Sequence, residues 1–385
     1  MTTQIDNKMS IKQSLKIKIK IVLFAIHHRK HEKFYRHVMA LNGIANKPVE
    51  GEKEWLQKWS FGGGKISPTQ YRVFAHYIGP DIDIVPEDVC HDFIEPILNP
   101  FRFAGYYADK NVFDRLFPQG FFPMTILRRF GGVYQGGDYR LLTVSDSALY
   151  QLLAVSENRG VVVKPTIDGM SGRNVRMFKN VMGVWRDAKT EEKLSVDLLE
   201  REYGDDYIIQ EAVNQHEYIN QFCPTSANTL RLSLYRSVKD EQPHITGAIM
   251  RIGANGSVVD NAHAGGCYVG IHKDGTFCHE VLDQYGVKRT SFNDIDFSQD
   301  FQYPCWEKVI KFAKSLSSYV PHHRLLALDI ILQKNEMPVL LEFNVLYYSS
   351  WLFQYTTGPA WGEYTDEILE YCKNRKSKLE HVLYI

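Results

Sequence analysis

The sequence has no run of about eighteen apolar residues, the length that a membrane-spanning helix requires, and therefore predicts no such helix. It also has no net charge, because 45 Lys and Arg residues balance 45 Asp and Glu residues. A neutral chain has no overall electrostatic attraction to nucleic acid, although zero net charge does not exclude a local basic patch. We therefore predict no nucleic-acid partner.

Cysteine is sparse and scattered. The six cysteines form no C-x-x-C pair. Cys and His are adjacent at Cys90-His91 and at Cys278-His279, which is not the spacing of a zinc site. A disulfide scaffold is not expected in a chain of 385 residues, so reduced thiols in the cytoplasm are predicted.

Two common catalytic signatures are also missing. The sequence contains no G-x-x-x-x-G-K-[ST] phosphate loop and no evident Ser-His-Asp or Cys-His arrangement for nucleophilic catalysis. It does contain material for a large core, with 44% apolar and 13% aromatic residues. Together with its length, this composition predicts a globular protein of two or three packed subdomains.

The first 40 residues are strongly basic, with nine Lys and Arg against two Asp and Glu. The apolar segment 19–26 resembles the core of a signal peptide, but the basic cluster 27–30 follows it without a small-residue cleavage site. Two interpretations stay open. One is a basic amphipathic arm that contacts the inner face of an anionic membrane, and the other is a helical arm packed on the body.

Helical patterns dominate the first half of the chain and strand patterns the second. Helices are predicted over 10–45, 68–77, 109–117, 145–158 and 301–318. Strands are predicted over 125–129, 161–164, 207–210, 230–235, 244–252, 325–332 and 339–343. Because the strands outnumber the helices in the second half, an α+β fold with a largely antiparallel sheet is favoured over a parallel nucleotide-binding fold.

Lys164 ends the apolar strand at 161–163, where a charge without a partner would be costly. The small-residue loop 166–174 follows it, and backbone N–H groups of such a loop can surround phosphate oxygens. A lysine beside this loop is suited to gripping phosphate. A strand-edge lysine before an ordinary turn explains the pattern equally well.

A hairpin is predicted from Asp329 to Asn344, with its turn at 334–336. Glu342 and Asn344 are two residues apart and therefore share a strand face, which Asp329 on the partner strand can join. Such hard oxygen ligands suit Mg²⁺ with bound phosphate. Since the flanking residues are apolar, we favour a metal site over a solvated polar face, and without a metal the two carboxylates are expected to repel each other.

Two further segments carry polar residues at strand ends. The strand ending at Gln210 and Glu211 can offer backbone groups to an adenine edge, although the segment alone favours an ordinary strand entering a polar loop. Asn228 and Arg231 lie at the entrance of the next strand, and Arg251 lies on the one after it. The two arginines suit bidentate anion binding, with structural salt bridges as the alternative.

In this order the features resemble the ATP-grasp superfamily. The finer motifs are similar to those of the sugar-transfer-associated ATP-grasp family of bacterial polysaccharide gene clusters. They are Tyr107-Ala108-Asp109-Lys110-Asn111, Arg128-Arg129-Phe130-Gly131-Gly132, Ser226-Ala227-Asn228-Thr229-Leu230-Arg231 and Ala264-Gly265-Gly266-Cys267-Tyr268-Val269-Gly270-Ile271. The resemblance covers residues 65–360, and the ordered set is specific although each motif alone is not.

The resemblance implies an α+β ATP-grasp fold in which ATP is held between two α+β subdomains, preceded by a helical N-terminal region. The expected divisions are a basic helical arm at 1–60, a pre-grasp region at 61–145, a lysine and phosphate-loop subdomain at 146–215, and a C-terminal subdomain with the metal site at 216–385.

The resemblance also implies a role for individual residues. The residues expected to bind ATP are Lys110, Lys164, Gly169, Ser171, Gly172, Gln210, Glu211, Val213, Glu217 and Asn228. The residues expected to act on the transferring phosphate are Arg231 and Arg251, and the expected Mg²⁺ ligands are Asp329, Glu342 and Asn344.

The implied activity is that of an ATP-dependent carboxylate–amine ligase, in which a carboxylate is phosphorylated to an acylphosphate that an amine then attacks. Positioning and neutralisation of phosphate charge supply the catalysis, so no protein nucleophile is needed. The resemblance places the activity in surface-polysaccharide synthesis, with a uronic acid or related carboxylate and an amino acid or other amine as substrates. The alternatives are an ATP-grasp kinase acting on a sugar or alcohol, and a non-catalytic nucleotide-binding accessory protein of a glycosyltransferase.

Overall fold

A computed structural model describes residues 11–60, 66–167, 174–257, 260, 262–346 and 348–375. The chain divides into two compact units. Unit 1 comprises residues 1–102, 238–240 and 346–385, and unit 2 comprises residues 103–237 and 241–345.

The helices of the described residues are mostly short. In chain order they are α1 (Ile11–Leu41), α2 (Glu52–Trp59), α3 (Thr69–Ile78), α4 (Glu87–Val89), α5 (Glu95–Leu98), α6 (Ala104–Ala108), α7 (Phe113–Leu116), α8 (Asp146–Leu153), α9 (Val196–Tyr203), α10 (Glu217–Asn220), α11 (Trp306–Leu316), α12 (Trp351–Gln354) and α13 (Thr365–Lys373). A π-helical segment, Cys90–Ile94, joins α4 to α5. Single 3₁₀ turns occur at Phe101–Phe103, Lys110–Val112, Ala154–Ser156, Ala262–Ala264, Ser317–Tyr319 and Gly362–Tyr364.

Among the described residues, the strands all belong to unit 2. They are β1 (Thr125–Phe130), β2 (Val133–Gly136), β3 (Val161–Pro165), β4 (Arg176–Val181), β5 (Val184–Asp187), β6 (Tyr207–Glu211), β7 (Leu230–Arg236), β8 (Pro243–Ile252), β9 (Cys267–Ile271), β10 (Phe277–Leu282), β11 (Lys288–Arg289), β12 (Ser291–Phe292), β13 (Ile295–Asp296), β14 (Leu325–Leu332) and β15 (Pro338–Asn344).

Unit 2 contains two large sheets. The first has the order β2-β1-β6-β3-β4-β5, and the second has the order β11-β10-β9-β8-β7-β14-β15. A small hairpin pairs β12 with β13. Neighbouring strands pair antiparallel in both large sheets, so the expected antiparallel α+β architecture is confirmed.

The first sheet is covered on one face by helices that begin with serine caps. The side chain of Ser145 accepts from the backbone of Ala148 at the start of α8, and that of Ser195 accepts from Leu198 at the start of α9. Their apolar faces pack against buried strand residues in one core. This core includes Leu127, Leu149, Leu153, Val161, Val163, Phe178, Trp185, Leu198, Leu199, Tyr207 and Ile209.

In the second sheet the interior strand β14, which neighbours the edge strand β15, is buried along its whole length. Its continuous apolar sequence follows from this position, because a strand covered on both faces needs apolar residues at every position. Asp329 interrupts that run and is nevertheless buried, with 4% of its surface exposed. A buried carboxylate on an interior strand requires partners, and these define the site described below.

Unit 1 is helical, and its core is unusually rich in tryptophan. Trp55, Trp59 and Trp361 are fully buried, and the rings of Trp59 and Trp361 lie 6.1 Å apart. Residues 348–375 therefore group with the N-terminal helices in unit 1. The subdomain boundaries drawn from the sequence, 216–385 among them, stay a prediction, and contacts between distant parts of the chain leave no periodic signal that would indicate this grouping.

Most predicted elements are present, with shifted ends. The helix predicted over 301–318 begins at Trp306, because Cys305 takes a left-handed backbone conformation with φ of 53°. The helix predicted over 109–117 is a 3₁₀ turn followed by α7. Several elements were not predicted, namely helices α2, α4, α5, α6, α9, α10, α12 and α13 and strands β4, β5 and β9 to β13.

Helix α1 confirms the predicted N-terminal helix, and its C-terminal part packs within unit 1. Tyr35 and Val38 are fully buried, and the Tyr35 hydroxyl donates to Glu87 Oε2 at 2.7 Å. The packed-arm interpretation therefore describes this part of the helix, while membrane contact by the arm stays a prediction. Within the described ranges, no helix combines the length and the hydropathy needed to span a membrane.

Candidate functional site

A row of charged side chains crosses three neighbouring strands of the second sheet. Asp329 on β14 is directly opposite Glu342 on β15 on one side and Arg231 on β7 on the other. Directly opposed residues point to the same face of a sheet, so the three side chains share one face. Asn344 joins them through the two-residue period, with its Nδ2 3.5 Å from Asp329 Oδ2. The shared face is the arrangement that the sequence predicts for this hairpin.

Two guanidinium groups hold Asp329. Arg231 binds it in bidentate fashion, with Nε 2.6 Å from Oδ1 and Nη2 2.8 Å from Oδ2. Arg251 Nη2 lies 2.9 Å from Asp329 Oδ1. Burial alone would raise the pKa of Asp329, but the charges of the two arginines outweigh it and hold that pKa below its usual value.

Two lysines approach Glu342 and its strand. Lys110, in the 3₁₀ turn that Asp109 caps, lies with its Nζ 3.0 Å from Glu342 Oε1. Lys164 projects from β3 in the first sheet, and its Nζ donates to the carbonyl oxygen of Leu341 at 3.4 Å. Burial, and then the positive charge of Lys110, lower the pKa of Lys164 to about 8. Lys110, from the turn before the first sheet, and Lys164, from the first sheet itself, therefore both contact β15 of the second sheet.

These contacts correct one part of the sequence argument. Asp329 and Glu342 were expected to repel each other unless a metal ion separated them. Instead Asp329 binds two arginines and Glu342 binds Lys110. The cationic partners compensate the buried charge, so burial by itself does not require a metal here. The sequence could not show this, because the partners are distant along the chain, with Arg231 98 residues from Asp329 and Lys110 232 residues from Glu342.

Asp260 is a polar member of the site that sequence reasoning missed. It is buried, and it accepts hydrogen bonds from both the backbone N–H and the hydroxyl of Thr229. Arg251 Nε donates to Thr229 Oγ1 at 3.0 Å and lies 3.9 Å from Asp260 Oδ2. Burial raises the pKa of Asp260, and the nearby Arg251 charge opposes that rise. The segment around it, Val258-Val259-Asp260-Asn261, matches no motif and gave no specific signal.

Arg128 was noted only as part of a motif, yet it supports the turn that carries Lys110. Its fully buried guanidinium donates to the backbone oxygens of Asn111 and Gly137 and to the carboxylate of Asp114. The ring of Tyr139 lies 3.9 Å from the guanidinium carbon. Arg128 therefore fixes the backbone beside Lys110. The two adjacent arginines Arg128 and Arg129 in a strand that also contains Ile126, Leu127 and Phe130 are the signal that could have identified it.

The predicted adenine segment is tightly bound into the first sheet. Gln210 Nε2 donates to the Pro123 carbonyl at 3.2 Å, and the Glu211 carboxylate accepts from Arg159 at 2.6 Å. Val213 follows outside the strand and is partly exposed. Contacts of these residues to adenine stay predictions, and the side chains of Gln210 and Glu211 already have protein partners.

The remaining predicted ATP residues lie in different surroundings. Glu217 is exposed and pairs with Lys334 at 2.7 Å. Asn228 is fully buried, and its Nδ2 donates to the carbonyls of Ile219 and Cys223, which fastens the segment before β7. Their roles toward ATP stay predictions. Gly169, Ser171 and Gly172 lie outside the described residues.

The order of these features along the chain is that of a known family. Residues 90–367 match the model of the family described as sugar-transfer associated ATP-grasp. The chain belongs to this family. Membership confirms the predicted ATP-grasp fold and accounts for the two antiparallel sheets of unit 2 with a helical region before them.

The chain is also similar to solved ATP-grasp structures, at low identity. The D-cycloserine synthetase DcsG is 15% identical, with 74% of each chain covered and a TM-score of 0.38. The ATP-grasp ligase PsnB, solved with a precursor peptide and AMPPNP, is 14% identical over 72% of this chain and 62% of its own length, with a TM-score of 0.38. The L-amino acid ligase from Bacillus licheniformis is 11% identical over 69% of this chain and 48% of its own length, with a TM-score of 0.34. No curated protein matches the chain.

Proposed function

We propose that this ATP-grasp protein is an ATP-dependent carboxylate–amine ligase that acts through an acylphosphate. One observation carries the proposal: lysines from the first sheet and its preceding turn contact β15 of the second sheet, where Glu342 is directly opposite the arginine-bound Asp329. Lys110 is 3.0 Å from Glu342, and Lys164 is 3.4 Å from the neighbouring Leu341 carbonyl. Opposed lysines, arginines and acidic oxygens at one place suit a triphosphate with Mg²⁺.

The donor set fits Mg²⁺. Asp329 and Glu342 supply hard carboxylate oxygens, and Asn344 supplies an amide oxygen. The Glu342 side chain is 34% exposed, so an ion with its water ligands can reach it. Asp329 would have to share its oxygens with two arginines. When bound, Mg²⁺ would neutralise phosphate charge at this edge of the second sheet.

The protein groups have separate tasks in this mechanism. Lys110 and Lys164 hold the triphosphate, and the low pKa of Lys164 rises when an anion replaces its present surroundings. Arg231 and Arg251 stabilise charge on the transferring phosphate. Asp329 fixes the orientation of the Arg231 guanidinium through its two hydrogen bonds. The substrate carboxylate attacks the γ-phosphorus, ADP leaves, and the amine then displaces phosphate from the acylphosphate. Charge neutralisation and positioning therefore replace a protein nucleophile.

We further propose that the carboxylate belongs to a uronic acid or a related saccharide and that the amine is an amino acid or other amine. The family description, sugar-transfer associated, supports the saccharide. The named activities of the similar solved structures, an L-amino acid ligase among them, are compatible with the amine. Surface-polysaccharide synthesis on the cytoplasmic side of the membrane is the corresponding setting.

ADP release in the presence of Mg²⁺ and ATP tests the proposal. Uronic acids and amino acids are screened singly and in pairs, and products are read by mass spectrometry. A ligase releases ADP with a carboxylate and an amine together, and hydroxylamine traps its acylphosphate as a hydroxamate. A stable phosphoester formed with a single acceptor would make it a kinase instead. ATP binding without ADP release under any acceptor would make it an accessory protein.

A further inference from the structure

Unit 1 contains a compact group of metal-binding side chains that the ATP-grasp assignment does not use. Among the described residues, one group of three His, Cys, Asp or Glu side chains has ligand atoms within 4.8 Å of one another. It consists of Cys90, His91 and Glu95. In the sequence, the adjacent Cys90 and His91 lacked the spacing of a zinc site. The fold supplies the third donor.

The π-helical segment brings these donors together. The Glu95 backbone N–H donates to the Cys90 carbonyl, five residues earlier, instead of to the carbonyl four residues earlier. Across this wider turn the ligand atoms of Cys90, His91 and Glu95 lie within 4.8 Å of one another. Single π turns within α-helices occur frequently at functional sites, because the irregular bonding costs stability that a regular helix would keep.

The donors are buried and close enough to share one ion. Cys90 is fully buried and Glu95 is 3% exposed, while His91 Nδ1 lies 2.7 Å from Glu95 Oε2. Ligand distances of about 2.0–2.3 Å around Zn²⁺ place neighbouring donor atoms roughly 3.3–3.8 Å apart. An ion between the three side chains therefore requires only small side-chain shifts.

The surrounding groups orient the donors as supporting residues of metal sites do. Glu95 Oε1 accepts a hydrogen bond from the Tyr348 backbone N–H, and Glu95 Oε2 faces His91 Nδ1. The other ring nitrogen of His91, Nε2, lies 3.9 Å from Glu87 Oε1. Glu87 is itself fixed by the Tyr35 hydroxyl at 2.7 Å. A carboxylate behind a metal-binding histidine fixes the ring and makes the donor nitrogen more basic.

We propose that Cys90, His91 and Glu95 bind a divalent transition-metal ion of the Zn²⁺ class, with Glu87 orienting His91. Thiolate, imidazole and carboxylate donors together select Zn²⁺ over the hard ions Mg²⁺ and Ca²⁺. Three protein ligands leave the fourth tetrahedral position to a water molecule. Binding releases the thiol proton of Cys90 and any proton on the donor nitrogen of His91 to the buffer. The proposal is independent of the ATP site in unit 2.

Metal retention by the full-length protein tests the proposal without ATP. The chain is stripped with a chelator, incubated with Zn²⁺ in excess Mg²⁺, and passed through a desalting column. We expect about one zinc ion retained per chain. With Co²⁺, we expect the intense d–d absorption of a tetrahedral site and a thiolate-to-cobalt charge-transfer band. Zero retained zinc, or cobalt spectra without the thiolate band, would overturn the proposal, and both measurements use the wild-type chain.

Substitutions locate the site. Cys90→Ser should remove the thiolate band and weaken zinc binding, while Glu87→Gln should weaken it about 10- to 100-fold, as the loss of a supporting carboxylate does. Cys278→Ser is the matched control, because Cys278 is the cysteine of the other adjacent Cys-His pair and lies in unit 2. Zinc retained by Cys90→Ser but lost by Cys278→Ser would place the ion elsewhere and overturn the assignment.

Discussion

Unit 1 and unit 2 each bury a cluster of charge, but they use different cations. In unit 2 Asp329 and Glu342 pair with Arg231, Arg251 and Lys110. In unit 1 Glu87 and Glu95 face His91. Arginine stays protonated at any ordinary pH, whereas histidine can lose its proton near neutrality.

The difference determines what happens when a carboxylate is removed. A guanidinium left without its partner remains a buried charge. An imidazolium left without its partner can become neutral. Burial alone would lower the pKa of His91, and the Glu95 and Glu87 carboxylates raise it well above its usual value. Removal of a carboxylate should therefore lower the free energy of unfolding more in the unit 2 cluster than in the unit 1 cluster.

The largest effect is expected at the centre of the unit 2 cluster. Asp329→Asn removes the carboxylate that Arg231 and Arg251 share and leaves Arg251 only the more distant Asp260, so it should lower the free energy of unfolding by about 3–5 kcal/mol. Urea unfolding measures it. Asp197→Asn is the control, since that carboxylate is 89% exposed and its ion pair should contribute little. Equal losses in the two variants would contradict the importance assigned to the buried pair.

Glu342→Gln tests the metal site at the edge of the same cluster. The variant keeps the side-chain shape but loses one charge, and turnover should fall by about 100-fold or more. Its stability without nucleotide should also fall, because Lys110 loses its partner. The sequence alone favoured the opposite, through relief of repulsion from Asp329. Steady-state ADP release and thermal unfolding measure the two effects, with the exposed Glu307→Gln as control. Near-normal ADP release would contradict the role of Glu342.

Lys164 should make ATP binding depend on pH. Its pKa of about 8 means that the free protein loses this charge as pH rises through 8, while a bound triphosphate favours the charged form. ATP affinity should therefore decrease from pH 7 to pH 9. Lys164→Met should bind at least about tenfold more weakly, with a flatter pH profile, because a charge-assisted contact contributes about 1.5–3 kcal/mol.

Calorimetry at three pH values measures the affinity of the wild type, of Lys164→Met and of Lys308→Met. Lys308 is an exposed lysine of α11 and serves as the control for loss of one positive charge. A wild-type affinity that does not change with pH would contradict the assignment of Lys164 to the triphosphate.

The smallest effect is expected in unit 1. Glu87→Gln removes the more distant carboxylate of His91 and leaves Glu95 2.7 Å from Nδ1, so the imidazolium keeps a counter-charge and can in addition give up its proton. At pH 8, with a chelator present, the loss should be about 1 kcal/mol, mainly from the Tyr35 hydrogen bond. Urea unfolding of Glu87→Gln and of Asp329→Asn under the same conditions compares the two losses of stability. A loss as large as that of Asp329→Asn would remove the distinction between permanent and titratable cations.

The sequence predicted the parts of the site that local periodicity controls. Glu342 and Asn344 share a face because side chains alternate along a strand, and Asp329 joins them because a short turn fixes the hairpin register. The lysine at the end of β3 was identified for a similar reason, since a charge in an apolar run is conspicuous. Arg231 and Arg251 were identified as residues, but not as partners of Asp329.

Long-range contacts were beyond sequence reasoning. Nothing local indicates that Lys110 reaches Glu342, 232 residues later, or that Asp260 binds Thr229. The π turn at Cys90–Ile94 was also missed, because a pattern of apolar residues does not distinguish a regular helix from one with a widened turn.

The sequence by itself therefore determined the fold family, the strand faces and the identities of most charged residues at the candidate ATP site. These follow from short-range rules, namely the period of a strand, the length of a turn and the order of motifs along the chain. Only the tertiary structure decided which charges are paired, and hence which carboxylates are compensated without a metal. It also placed Glu95 beside Cys90 and His91. Pairing of buried charges depends on distances between distant segments, and one sequence does not specify those distances.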